Sequence, residues 1–183
     1  MTAVLSTFSL IGSVLGGIIF LMLLSGIRFI PNNRIGIVEK RFSGKGSVKS
    51  GLIALNGEAG YQPRVLRGGL HYLMPIQYVV HMAPLVTIPQ GKIGYIFARD
   101  GKPLEPTQVL ASNVTARNYQ DVEDFIKNGG QRGPQRLILR EGTYAFNLVQ
   151  FVVITEGRVY SLPLSREDVD TIQKMAEVIT ERK

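Results

Sequence analysis

Residues 2–27, TAVLSTFSLIGSVLGGIIFLMLLSGI, carry no charge at all. No other feature limits the chain as strongly. In a helix, at about 1.5 Å per residue, about 20 apolar residues match a bilayer core of about 30 Å. A cleaved leader would need a positive n-region, a shorter apolar stretch and a small-x-small cleavage site. No Lys or Arg precedes this run, and no clean site of that kind precedes Arg28. The reading is a retained transmembrane anchor over residues 1–30. Its lipid-facing side chains are Phe8, Leu10, Ile11, Val14, Leu15, Ile18, Ile19, Phe20, Leu21, Leu23, Leu24 and Ile27. Gly12 and Gly16 form a G-x-x-x-G pair, with Ser13 and Gly17 one step on. Such spacing lets membrane helices approach closely, although glycine is frequent in membrane helices generally.

The net charge of +7 is uneven. Residues 1–90 hold eight basic residues against two acids, whereas the remainder is nearly balanced. Six of the eight, Arg28, Arg34, Lys40, Arg41, Lys45 and Lys49, follow the apolar run closely. Because Lys and Arg are retained on the cytoplasmic side, a single-pass chain with its N-terminus outside and its soluble part in the cytoplasm is expected. The same six residues either hold anionic head groups or form a solvated loop that only sets topology. Nucleic acid is not an expected partner: the basic cluster has no interleaved aromatic residue apart from Phe42.

Hydrophobic residues make up 45% and charged residues 19%, which excludes wholesale disorder. Cysteine is absent, which removes disulfides, thiolate metal sites and thiol nucleophiles. The two histidines, His71 and His81, do not match a helical metal pair. GKGSVKSG (44–51) lacks the glycine that precedes lysine in a phosphate loop and reads as a basic linker. NGGQRGPQR (128–136) lacks the strand-before, helix-after setting of a nucleotide fingerprint and reads as a surface turn. Asp121, Glu123 and Asp124 sit where acids favour a helix start rather than as a catalytic pair. No catalytic residue, metal or cofactor is expected, and the chain reads as a non-enzyme.

Beyond the anchor the chain reads as short strands: 34–40, 70–74, 78–82, 85–88, 92–98, 150–155 and 158–162. These are rich in β-branched and aromatic residues between Gly, Pro and Asn. One helix is expected at 121–128, with Asp121 as N-cap and Gly129 stopping it. A second is expected at 165–183, with Ser165 and Asp168 as a relative of the capping box. Its apolar stripe is Val169, Ile172, Met175, Ala176 and Ile179, facing either its own domain or a partner helix. There is also an internal repeat. IPNNRIGIV (30–38) matches IPQGKIGYI (88–96) at a shift of 58, and VLRGG (65–69) matches ILREG (138–142) at a shift of 73. The extra 15 residues lie between the two matches, around the first helix. A duplicated β-rich module explains this pattern.

The segment Ile35 to Val38 (IGIV), followed by Leu66 to Pro75 (LRGGLHYLMP), resembles the opening of an SPFH (band 7) domain, the stomatin/prohibitin/flotillin group. Gly68 stands where that motif usually has proline. The second unit, with REGTYAFN (140–147), resembles the duplicated N-terminal part of long bacterial flotillin-like members. The Thr-x-Asp-Gly-Val strand pair and the long Ala/Glu-rich coiled coil usual in that family are missing. The chain is therefore expected to be the N-terminal piece of a longer protein or a short member. The expected class is α+β: a transmembrane helix (1–30), two SPFH-type modules (31–84 and 85–163) and an amphipathic helix (164–183). The resemblance implies a scaffold that homo-oligomerises on the lipid bilayer, organising a microdomain or enclosing a membrane protease or other integral membrane protein. The alternative is a membrane-tethered adaptor subunit of a hetero-complex that regulates a membrane protease or transporter.

Overall fold

The computed structural model describes residues 2–114 and 117–181, with side chains described for 11–114 and 117–178. The chain opens with helix α1, Thr2–Leu24. Ser25 ends it: its Oγ donates to the Met22 carbonyl at 2.7 Å, and the Gly26 N–H donates to Leu23 at 3.1 Å. Strand β1, Ile27–Ile30, follows at once. Ile27 is therefore a strand residue, and the helix stops short of the anchor boundary expected at residue 30.

The transmembrane expectation is corrected here. Among the described residues no helix is long and apolar enough to cross a membrane. The expected single-pass location, with the N-terminus outside and the remainder cytoplasmic, is corrected with it. Phe8 and Leu10, from the expected anchor, and Ile179, from the expected helix stripe, lie outside the described side chains.

Two repeats of one β-rich unit make up the body. In the first, β1 pairs antiparallel with β4, Gly69–Tyr72, while β2, Arg34–Lys40, lies between β3, Gly60–Leu66, and β5, Tyr78–Pro84. In the second, β6, Val86–Ile88, pairs with β9, Gly142–Tyr144. There β7, Gly94–Ala98, lies between β8, Gly133–Pro134, and β10, Phe151–Thr155, with β11, Val159–Tyr160, added at the edge. The equivalence reaches single bonds. Arg41 N–H donates to Gln77 at 2.8 Å, as Arg99 does to Gln150 at 2.8 Å. Ala54 N–H donates to Tyr61 at 2.8 Å, as Ala111 does to Pro134 at 2.9 Å. Gln62 Nε2 donates to the Gly60 carbonyl at 3.1 Å, and Gln135 Nε2 to that of Gly133 at 2.8 Å.

One steric device recurs in both repeats. An isoleucine from the leading strand folds over a glycine of the next. A Cβ on Gly36 would stand 2.7 Å from Ile30 Cδ1, and one on Gly94 would stand 2.8 Å from Ile88 Cδ1. The motif Ile-Pro-x-x-(Arg/Lys)-Ile-Gly is thus a strap and the gap it crosses. Pro31 and Pro89 fix φ at the turn and lead the chain into the second strand.

Helix α2, Val122–Lys127, lies within the extra residues of the second repeat. Asp121 Oδ1 accepts the Asp124 N–H at 3.0 Å, the N-cap that the sequence indicates. Val122 and Phe125 are buried from it, and Phe125 packs edge-on to Phe151 at 5.1 Å between ring centroids. Helix α3, Arg166–Glu181, is capped by Ser165, whose Oγ accepts the Asp168 N–H at 3.2 Å. Strand β3 was not among the expected strands because Pro63 interrupts it. It is an edge strand, and its register against β2 shifts between Ile37 and Glu39, so the proline falls in the irregular stretch.

Gly36→Ala should cost about 1–3 kcal/mol through overpacking. Its Cβ would meet the stiff Val80 Cγ1 at 2.7 Å as well as Ile30, whereas a Cβ on Gly94 meets mainly the mobile tip of Ile88. Urea unfolding of both variants checks this; Gly94→Ala should be the milder.

Candidate functional site

The two repeats share one buried cluster. Ile35, Ile37 and Ala83 of the first repeat enter it together with Phe146, Leu148 and Val149 of the second. Polar contacts fix the seam. Asn147 Nδ2 donates to the Gln62 and Pro63 carbonyls at 3.0 and 3.3 Å, and its Oδ1 accepts the Val149 N–H at 3.1 Å. The Gln120 side-chain oxygen accepts from Ala145 N–H at 3.1 Å and from Arg67 at 3.1 Å. The Leu52 N–H donates to Asp100 Oδ2 at 2.7 Å.

Helix α3 lies over one end of the second sheet and leaves a cavity of about 390 Å³. Phe97, Val152 and Ile154 form its floor, and Ile172 and Met175 its roof. Arg99 closes the polar end: Nη1 is 3.5 Å from Asp168 Oδ2 and donates to the Leu162 carbonyl at 3.2 Å, while Nη2 donates to Ser161 Oγ at 2.5 Å. Burial pushes the Arg99 guanidinium below its ordinary value, and Asp168 opposes that shift. In the first repeat the positions of Phe97 and Ile154 are held by Glu39 and His81, paired at 2.7 Å. The same site thus holds a Glu–His hydrogen bond in one repeat and an apolar helix in the other. The Tyr61 and His81 rings pack tilted against one another at 5.8 Å between centroids. Burial pushes the Tyr61 phenol up, with Glu39 adding to it, and burial also raises Tyr119.

The six basic residues do not come together. Arg34 and Lys40 stand at opposite ends of β2, about 20 Å apart at strand rise. Lys40 Nζ donates to the Gly57 carbonyl at 2.7 Å and to Ser43 Oγ at 3.1 Å, and Lys45 Nζ donates to the Asn56 carbonyl at 2.8 Å. These two ammonium groups latch the 43–58 loop, a role that the sequence does not disclose. Arg28, Arg34, Arg41 and Lys49 are exposed.

What the structure does assemble is an apolar surface. Every described side chain of α1 is exposed, and no atom lies within 4 Å of a Cβ built on Gly12, Gly16 or Gly17. The ribbon continues this surface: Ile27 faces Tyr72 and Phe29 faces Leu70 across the β1–β4 pairing, all four on one face and all exposed. Met74 and Ile76, beyond the ribbon, are exposed as well. The ribbon half of this surface is missed from sequence because residues 27–30 read as the tail of an anchor. Among the described residues no group of three or more His, Asp or Glu side chains is placed to hold a metal ion. Compared with family models, with curated proteins and with solved structures, the chain matches none.

Two outcomes follow from this geometry. Arg99→Met should release α3, so that amide exchange over 166–178 accelerates as its local opening becomes easier by about 1–3 kcal/mol, while β2 and β5 keep their protection. Stability should also fall in alkali. Tyr61 and Tyr119 titrate above an ordinary tyrosine in the folded chain, so their contribution is full below the ordinary tyrosine range. It is lost as pH rises through the folded values. Urea titrations at pH 9 and 11 should show a smaller loss in the Tyr61→Phe variant than in the parent.

Proposed function

We propose that the chain is a non-enzymatic scaffold that assembles with copies of itself, with α1 and the ribbon face sunk into one leaflet of a lipid bilayer without crossing it. The observation that carries this reading is the continuous exposed apolar surface from α1 through Phe29, Leu70 and Tyr72. A surface of that kind marks an interaction site rather than a solvated face. A helix apolar on all sides needs an apolar surround. The resemblance of residues 35–38 and 66–75 to SPFH domains supports the same reading, and the organised patch or enclosed membrane protein is its proposed purpose.

A second reading is an adaptor in a hetero-complex that regulates a membrane protease or transporter. It is favoured by α3, where Val169, Met175 and Val178 are exposed on a helix otherwise seated on its own sheet.

Hydrogen exchange on the intact chain with anionic phospholipid vesicles tests the first reading. Exchange over 27–30 and 69–72 should slow at least tenfold on vesicle binding, and Phe29→Asp with Leu70→Asp should abolish the slowing. Equal exchange in the parent with and without vesicles contradicts the lipid contact.

A further inference from the structure

The two repeats are joined by a contact whose two halves both recur, unused, elsewhere on the same chain. The first repeat buries Ile35 and Ile37, 1% and 0% exposed, at the seam with the second. By the shift of 58, their counterparts in the second repeat are Ile93 and Tyr95, which are 42% and 55% exposed. The second repeat buries Asn147 and Val149, 1% and 0% exposed, at the same seam. By the shift of 73, their counterparts in the first are Met74 and Ile76, 52% and 51% exposed. Leu52 and Ile53 repeat the pattern: they pack into the shared cluster, whereas Val109 and Leu110 at the matching positions are exposed. At these positions the open counterparts Ile93, Tyr95, Met74, Ile76, Val109 and Leu110 are all apolar.

We propose that a second copy of this chain occupies both open halves: the Ile93–Tyr95 face of one copy docks on the 74–76 segment of the next, repeating between chains the contact that already joins the repeats within one. The partner is the chain itself because each copy leaves open the two surfaces that fit one another. Charge agrees with this. At the internal seam Arg64 approaches Glu123 at 3.9 Å, and Glu123 belongs to the inserted α2, which the first repeat lacks. The counterpart of Arg64 is Leu137, which needs no acid across the contact. Among the described residues helix α3 covers the Phe97 and Ile154 end of the docking face. The contact is head-to-tail, so copies add in one direction until a ring closes or a filament grows.

This inference rests on the scaffold reading, and the test separates the two. Tyr95→Glu spoils one half and Ile76→Glu the other; both side chains are exposed, so neither change disturbs the core. In mild detergent each variant of the intact chain should be monomeric, and an equimolar mixture should give a complex of two chains, because each retains the half that the other lacks. Because the chain has no cysteine, Tyr95→Cys with Ile76→Cys should in addition form disulfide-linked oligomers under mild oxidation. If the single variants assemble as the parent does, or the mixture stays monomeric beside an assembling parent, this contact is overturned and the scaffold reading stands on another surface. A monomeric parent overturns both.

Discussion

The seam between the two repeats is the contact on which the rest depends. Neither repeat encloses a core alone: Ile35, Ile37 and Ala83 are buried in the same cluster as Phe146, Leu148 and Val149. Fully burying an isoleucine stabilises by about 1.5–3 kcal/mol, so these few residues contribute on the scale of a domain's net stability. Asn147 sets the register of the seam. It is buried, and its amide and carbonyl are both bonded, to Gln62, Pro63 and Val149. An apolar residue there would leave two carbonyls of β3 without that donor. Met74 holds the matching position in the first repeat and is exposed.

That asymmetry explains how one unit, used twice, gives two different surfaces. The first repeat is covered on one sheet face by Ile30 and on the other by the second repeat, so β2 is buried on both sides over Ile35–Val38. The second repeat is covered by Ile88 on one face and only partly by α3 on the other, so β7 alternates buried and exposed. The exposed positions are tyrosine, phenylalanine and isoleucine rather than the polar residues that a solvated face carries.

Much of this was legible in the sequence, and what was hidden has physical causes. The duplication shows because each repeat needs the same strap and gap, Ile30 over Gly36 and Ile88 over Gly94, which fixes residue identity as well as polarity. Both later helices show through side-chain caps, Asp121 and Ser165, whose bonds are local. Strand β1 did not show, because an apolar run gives no compositional sign of where helix becomes strand; only Ser25 and Gly26 mark the change. Strand β3 was hidden by Pro63, tolerated at an edge. The latching roles of Lys40 and Lys45, and the Glu39–His81 pair, depend on residues brought together from 17, 11 and 42 positions away. No local pattern carries such information.

The central claim is that this chain works by joining copies of itself. Native mass of the intact chain in mild detergent, followed across a tenfold concentration range at micromolar levels, tests it most directly. The account predicts assemblies of many copies, either one closed species or a series that shifts upward with concentration. A monodisperse monomer throughout contradicts it.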